Sequence, residues 1–489
     1  IVDCETNNLP EEKGVNLEKV DTSGSSNVYK IMVENNSSNE VTINLGVNVG
    51  LDYNDLELPS EGRLFKEYEN VPNAPELDEG MIAVKYENNN WVKADVNNTN
   101  SDWYNYDELK WANAVTVSSS SRSNYLGAEV GTVINMDDIE TMWVWIPRYS
   151  YTIASEDGTN YYGKKGEFLD AAPTQELPGE IDVKFVPSGE KDRCSAKYKV
   201  GEEIRSWYTP DAFTFGDEEL SGIWVGKFET SSSNPSATNG GGNTTELDAM
   251  IKPNVNAWTD ITLNNSFEVS KKMTNINNRY GLSNNFDTHI IKSSEWGAVA
   301  YLSQSKYGKL GNKNFSGFNK EIYQNKSNQY ITGCSWGHPS GGTENDYGCQ
   351  YSYDIDINGT GASTTGTIYG IYGMSGGAWD WVMSNYNDLI GASGFEKLPK
   401  SKYYNKYISN DLSTACDGKE CISYGLSETY FWYDDTTRLG NEEYPWTVRG
   451  GGFNDSVYAG VFHQDYNEIT QDGTNPVVSF RIVMTTSSN

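Results

Sequence analysis

The residues able to do chemistry are few and scattered. Only three histidines occur, His289, His338 and His463. No P-loop, dinucleotide fingerprint or His-Glu-x-x-His segment is present. Gly373-Met-Ser375-Gly-Gly377 matches G-x-S-x-G formally. A nucleophile elbow needs a strand–turn–helix around the serine and His and Asp partners downstream, and His463 is the only histidine that follows. Catalytic carboxylate pairs cannot be singled out among 68 Asp and Glu. Asp354-Ile-Asp356-Ile-Asn358-Gly359 matches the first half of a calcium loop, in which alternating oxygen ligands and a glycine turn suit a hard cation. Asp354, Asp356 and Asn358 are therefore candidate calcium ligands. Position 12 is Thr365 instead of a bidentate Glu, and a solvated acidic turn is the alternative. No cofactor is expected to be required.

Six cysteines occur, with no C-x-x-C pair. Cys334 and Cys349 bracket a Gly-rich loop, and Cys416 and Cys421 bracket Asp-Gly-Lys-Glu. Local disulfides fit both pairs and would leave Cys4 with Cys194, although spacing alone does not prove connectivity. Closing a ~15-residue loop is worth roughly 3 kcal/mol in the chain-entropy model. Oxidised cysteines imply a secreted or cell-surface protein, bacterial or phage in its setting.

The elements that must position these residues follow from composition. Lys and Arg number 37 against 68 Asp and Glu, a net charge of −31, which excludes nucleic acid as a natural partner. No segment approaches the ~20 apolar residues of a membrane span. The chain begins at Ile1 rather than Met, which fits removal of a leader or anchor. Abundant Asn, with 47 Gly, 33 Tyr and 14 Trp, reads as loop-rich β structure with an exposed aromatic skin. Residues 1–70 read as a small all-β, immunoglobulin-like sandwich, with alternating strands at Val28–Val33 and Val41–Val47, serving as a stalk or assembly domain. Residues 71–125, dense in Trp and Tyr, read as an aromatic-rich connecting subdomain. Residues 126–489 read as one long Gly- and aromatic-rich unit. It opens with a strand at Met142–Ile153, followed by one at Gly222–Ser231. Helices are expected within 256–273 and 293–305, the second capped by Ser293, and Val477–Met484 closes the unit as a strand.

Landmarks of this unit resemble the formylglycine-generating enzyme (sulfatase-modifying factor) family, a variant of the C-type lectin fold. The segments are MWVWIPRYSYTI, GIWVGKFETS, HIIKSSEWGAVAYLS, TGTIYGIYGMSGGAWDWVMSNY, TVRGGGF and SFRIVM, in the family's order over about 350 residues. The resemblance implies an α+β C-type lectin-like domain, with Trp379, Trp381, Arg449, Gly450 and Gly451 as architecture rather than chemistry. The family oxidises a substrate cysteine through a copper-binding cysteine pair just after its RGG landmark, and here the stretch 451–467 contains no Cys. No histidine cluster suits an iron-dependent branch either. The expectation is a non-enzymatic relative.

C-type-lectin-like relatives, including variable proteins of diversity-generating retroelements and phage or bacterial adhesins, carry ligand contacts after this RGG. The corresponding run here contains Asn454, Asp455, Ser456, Tyr458, Phe462, His463, Asp465, Tyr466 and Asn467, with Trp432 and Tyr433 bordering it. This mixture of stiff aromatic area and adaptable hydrogen bonding resembles a paratope. The function expected is that of an adhesin or receptor-binding protein that engages a glycan or protein receptor on another cell or surface. The alternative is a structural subunit that self-assembles into a filament, pilus or virion and displays the lectin-like domain.

Overall fold

The computed structural model describes residues 15–21, 28–33, 70–154, 180–187, 194–200, 203–339, 348–412, 421–430, 432–466 and 473–486; for 15–21, 28–33, 153–154, 194–200, 203–207 and 238 only the backbone is described. These residues form a mixed α/β structure made mostly of sheet. Two units are present, Ile1–Glu67 with Asp192–Tyr208, and Tyr68–Lys191 with Thr209–Asn489. In the first, Val15–Asp21 pairs with Val28–Val33, and Cys194–Val200 with Glu203–Tyr208, both antiparallel. Val41–Val47 and most of the expected sandwich lie outside the described residues. Among the described residues no helix is long and apolar enough to cross a membrane.

The second unit rests on two sheets. One has seven strands, all antiparallel, in the order Phe286–Ile290, Ile482–Thr486, Gly222–Gly226, Ile139–Pro147, Asn113–Val117, Ile82–Glu87 and Asn90–Lys93. Residues 71–125 thus supply three strands of this sheet. The other sheet centres on Trp379–Tyr386, which pairs with Asn405–Tyr407, Trp446–Arg449 and Val478–Phe480; Gln464–Tyr466 adds to Trp446–Arg449.

Two apolar runs expected as single strands are each divided by a buried arginine. The first breaks into Ile139–Pro147 and Tyr149–Ala154 at Arg148, which pairs with Glu219 at 2.9 Å and donates to the Phe213 carbonyl at 3.1 Å. The last breaks into Val478–Phe480 and Ile482–Thr486 at Arg481, and its two halves join different sheets. A guanidinium inside an apolar run must find acceptors, so the chain turns where it can reach them.

The expected aromatic skin is mostly core. Eleven of the 13 tryptophans with described side chains are fully buried. Their indole N–H groups staple loops to sheet: Trp111 donates to the Tyr307 carbonyl at 2.8 Å, Trp224 to that of Glu76 at 2.6 Å, and Trp446 to that of Ile390 at 2.9 Å. Each indole fills core volume and satisfies a loop carbonyl that would otherwise be buried without a partner. A loop-rich chain can therefore hold fixed loops.

Helices occupy Leu263–Lys272 and Ser293–Ser303. Thr262 caps the first, its Oγ1 accepting from the Asn265 N–H at 3.2 Å. Ser293 does not cap the second. Glu295 does so, accepting the Lys292 N–H at 2.7 Å, while Ser293 Oγ donates to Gln464 at 3.0 Å. Cys334 and Cys349 form the expected disulfide. Cys421 is also disulfide-bonded. Cys416 and Cys4 lie outside the described residues, and Cys194 is described by its backbone only.

Beneath the second helix, fully buried His289 joins two carboxylates. Its Nδ1 is 3.1 Å from Asp287 and its Nε2 3.1 Å from Glu295. Neutral imidazole has one N–H, so two carboxylates facing two ring nitrogens require the imidazolium. Burial alone would lower the His289 pKa, but Glu295 and Asp287 raise it. Lys271 at 2.7 Å, Lys402 at 3.8 Å and the Tyr403 hydroxyl at 2.7 Å face Asp287; Lys292 faces Glu295 at 3.3 Å; Phe215 stacks on the imidazole at 4.8 Å. A raised histidine contributes stability that is complete below its unfolded pKa of about 6.5 and is lost as pH rises through the native value. Replacing His289 by Gln should cost about 3 kcal/mol near pH 6. In denaturant unfolding the gap between wild type and variant should narrow as pH rises. A gap independent of pH would show that His289 is neutral.

Candidate functional site

The loop after Trp446–Arg449 starts from a buried anchor. Arg449 donates through Nη1 to the Tyr424 carbonyl at 2.6 Å and Ser293 Oγ at 3.3 Å, and through Nη2 to the carbonyls of Gly425 at 2.8 Å and Phe462 at 3.3 Å. It lies over Trp296, whose indole N–H donates to the Val461 carbonyl at 2.7 Å. Burial lowers its pKa to about 10, which leaves a cation at neutral pH. Gly450 and Gly451 then turn the chain at φ +87° and +72°. A side chain on Gly451 would put its Cβ 2.5 Å from Ala459 Cα, so only glycine fits the turn.

From here the expected recognition residues divide. Phe462, His463, Trp432 and Tyr433 are buried, which corrects their assignment to a surface. Trp432 meets Phe462 edge-on at 5.4 Å, and Tyr433 donates to Gln304 at 2.9 Å. Asp435, its acid form favoured by burial, accepts the Phe462 N–H at 2.9 Å and holds that segment inward. Burial, with Arg449 and Arg438 nearby, lowers the His463 pKa to about 3, so Nδ1 accepts the Thr436 N–H as neutral imidazole. Asn454 and Tyr458 face outward, Tyr458 at 53 % exposure. Asp455 and Ser456 are half-buried beside them, Asp455 accepting the Gly452 N–H at 2.5 Å. Asp465 and Tyr466 belong to a separate patch, where Arg438 pairs with Asp465 and lies 4.9 Å from the Tyr466 ring, and Tyr444 stacks on Tyr466 at 5.6 Å. Asn467 lies outside the described residues.

The structure adds residues that sequence reasoning missed. Buried Gln324 donates through Nε2 to the Gly452 carbonyl at 3.3 Å, across 128 residues of chain. Its main-chain carbonyl accepts the main-chain N–H of Trp336 at 2.8 Å. Trp336, inside the disulfide loop, thereby reaches the same place. Tyr330 meets Phe453 at 5.7 Å. Trp379, expected as core, is half-buried, 5.0 Å from His463, and its indole lies with the Asp455 carboxylate beside Gly452. Trp381, Arg449, Gly450 and Gly451 are buried as expected. Gln324, Tyr330, Trp336, Trp379, Phe453 and Tyr458 thus gather around one turn. A Trp between Cys334 and Cys349 was the one trace of this in the sequence.

The other motifs fit chemistry poorly. Ser375 is buried and donates to the Ala459 carbonyl at 3.2 Å. Asp354 accepts from Ser352 Oγ at 2.9 Å, and Asp356 accepts the Asn358 N–H at 2.7 Å. Thr365, at the calcium loop's last position, is buried and hydrogen-bonded to Thr367. Among the described residues no group of three or more His, Cys, Asp or Glu side chains is placed to hold a metal ion.

No family model matches the chain, and no curated protein matches it. Solved structures similar to it include the Major Tropism Determinant U1 Variant, at 13 % identity over 73 % of this chain and 75 % of that one, with a TM-score of 0.22. Another is the Major Tropism Determinant I1 Variant, at 13 % identity over 83 % and 95 %, with a TM-score of 0.23. Likeness at this level establishes neither fold nor function. The resemblance to the formylglycine-generating family rests on the sequence landmarks alone.

Replacing Arg449 by Lys, which cannot serve four acceptors, should cost about 3 kcal/mol by leaving buried carbonyls unpaired. Replacing Tyr458 by Ser should change stability by less than about 0.5 kcal/mol. Urea unfolding of both variants checks this contrast.

Proposed function

We propose that this chain is a non-enzymatic surface protein that binds a receptor on another cell or surface through the face around Gln324 and Gly452. One observation carries the reading. Among tryptophans with described side chains, only Trp336 and Trp379 are not fully buried, and both border this face. Stiff aromatic area beside Asn454 and Ser456 has the composition of a recognition surface. The absence of cysteine from 451–467 supports a role without copper chemistry. The Cys334–Cys349 bond supports an extracellular setting. We read the two-sheet unit as a C-type lectin-like domain on the strength of its six ordered landmarks.

The test is an array of surface glycans and receptor ectodomains probed with the full chain. We expect a ligand whose binding falls at least tenfold when Phe453 and Tyr458 are both replaced by Ala, with unfolding unchanged. A ligand bound equally well by the double variant would move the site elsewhere.

A further inference from the structure

We infer that the Gln324–Trp336 end of this face takes a neutral carbohydrate, without calcium. The inference rests on the proposed recognition role and names its ligand class. Two polar groups carry it. The Trp336 indole N–H and Gln324 Oε1 are both shielded from water, and neither has a hydrogen-bond partner. Many indole N–H groups in this fold go to carbonyls, as those of Trp111, Trp224, Trp296 and Trp446 do, although that of Trp381 is also shielded without a partner. A shielded polar group left unsatisfied is destabilising, and a ligand that satisfies it recovers that cost. One group is a donor and the other an acceptor. They sit on segments joined by the hydrogen bond from the Trp336 N–H to the Gln324 carbonyl at 2.8 Å. A hydroxyl both accepts and donates, so a polyol meets both demands. The half-exposed ring of Trp336 supplies apolar area for the C–H face of a pyranose. The buried groups are reached by side-chain adjustment of the ordinary extent seen on binding.

Charge and backbone narrow the class. The charged groups here are already engaged: Lys326 is buried with Nζ 5.1 Å from the Trp336 ring centroid, and Asp455 is tied to the Gly452 N–H. Among the described residues here an anionic glycan would meet no unengaged lysine or arginine, and His338, 5.4 Å from the Trp336 ring, is paired with the Pro339 carbonyl; the chain as a whole carries a net charge of −31. An extended peptide would need a strand edge. The Gln324 and Asn325 backbones are already paired, Gln324 N–H with the His338 carbonyl at 3.3 Å and Asn325 N–H with that of Ser375 at 2.9 Å. Their carbonyls accept from Trp336 at 2.8 Å and Gly377 at 2.7 Å.

The experiment is titration calorimetry of the full chain in EDTA, with neutral oligosaccharides and their sialylated counterparts drawn from a glycan array. Trp336→Phe keeps a ring and removes the N–H. It should weaken neutral-glycan binding about tenfold, and Trp336→Ala should weaken it further. Circular dichroism and melting confirm that each variant folds; if Trp336→Ala does not, Trp336→Phe decides. Three results overturn the inference: a preference for sialylated glycans, binding abolished by EDTA, or Trp336→Phe binding like wild type. An ectodomain bound through Phe453 and Tyr458, with no neutral glycan bound, overturns the carbohydrate inference and leaves the recognition face standing. No ligand of either kind overturns both.

Discussion

Near its end the chain must pass from one sheet to the other, and it does so at Arg481. Val478–Phe480 lies beside Trp379–Tyr386, and Ile482–Thr486 lies between Phe286–Ile290 and Gly222–Gly226. The guanidinium between them is fully buried and binds parts of both sheets. It donates to the carbonyls of Gly226 at 2.9 Å, Tyr372 at 2.9 Å and Gly373 at 3.0 Å, and to Asp380 at 3.1 Å. Burial raises the Asp380 pKa to about 6 against the pull of Arg481. Burial, together with Asp380, raises that of Glu229 well above the usual range. One arginine shared between two buried carboxylates, Asp380 and Glu229, favours the acid form of Glu229. Breaking such a buried pair on one side leaves an uncompensated charge, which is why this junction tolerates little change.

The proposed recognition face hangs from that junction. Glu229 accepts the Ala378 N–H at 2.9 Å and so fixes the end of the stretch Gly373–Gly377. This stretch stands between the two halves of the face. On one side, Gly377 N–H donates to the Asn325 carbonyl at 2.7 Å and the Ser375 carbonyl accepts the Asn325 N–H at 2.9 Å. On the other, Gly376 N–H donates to the Gly450 carbonyl at 3.0 Å and the Gly377 carbonyl accepts the Phe453 N–H at 2.9 Å. A side chain on Gly376 would put its Cβ 2.4 Å from the Asn325 carbonyl oxygen. The glycines therefore set the separation of Gln324 from Phe453. Recognition residues held this way lose little freedom on binding, which is the physical advantage of a preorganised face.

Much of the framework was legible because it is local. Apolar alternation marked the strands, and glycines beside Trp379 and Trp381 marked the turn. The arginines in MWVWIPRYSYTI and SFRIVM were legible as residues but not as strand breaks, since their acceptors come from distant chain. The site was legible only in outline. Sequence could place a loop after Gly451 but not tell its inner wall from its outer one. Asp435 turns Phe462 inward through one hydrogen bond from 27 residues away, and that cannot be read from composition. Gln324 was missed because its role comes from Gly452, 128 positions away, and Trp336 because it reaches the face only through Gln324. The charge of −31 argues against nucleic acid as a partner but could not show how the charges on this face are engaged.

The central claim is that one preorganised face, built from two loops across the glycine stretch, meets the ligand. Hydrogen exchange by mass spectrometry on the full chain, with and without saturating array ligand, tests it most directly. The account predicts new protection confined to residues 324–338 and 450–458. Protection centred on the Arg438–Tyr466 patch, or on residues 1–67, with 324–338 and 450–458 unchanged, would contradict it.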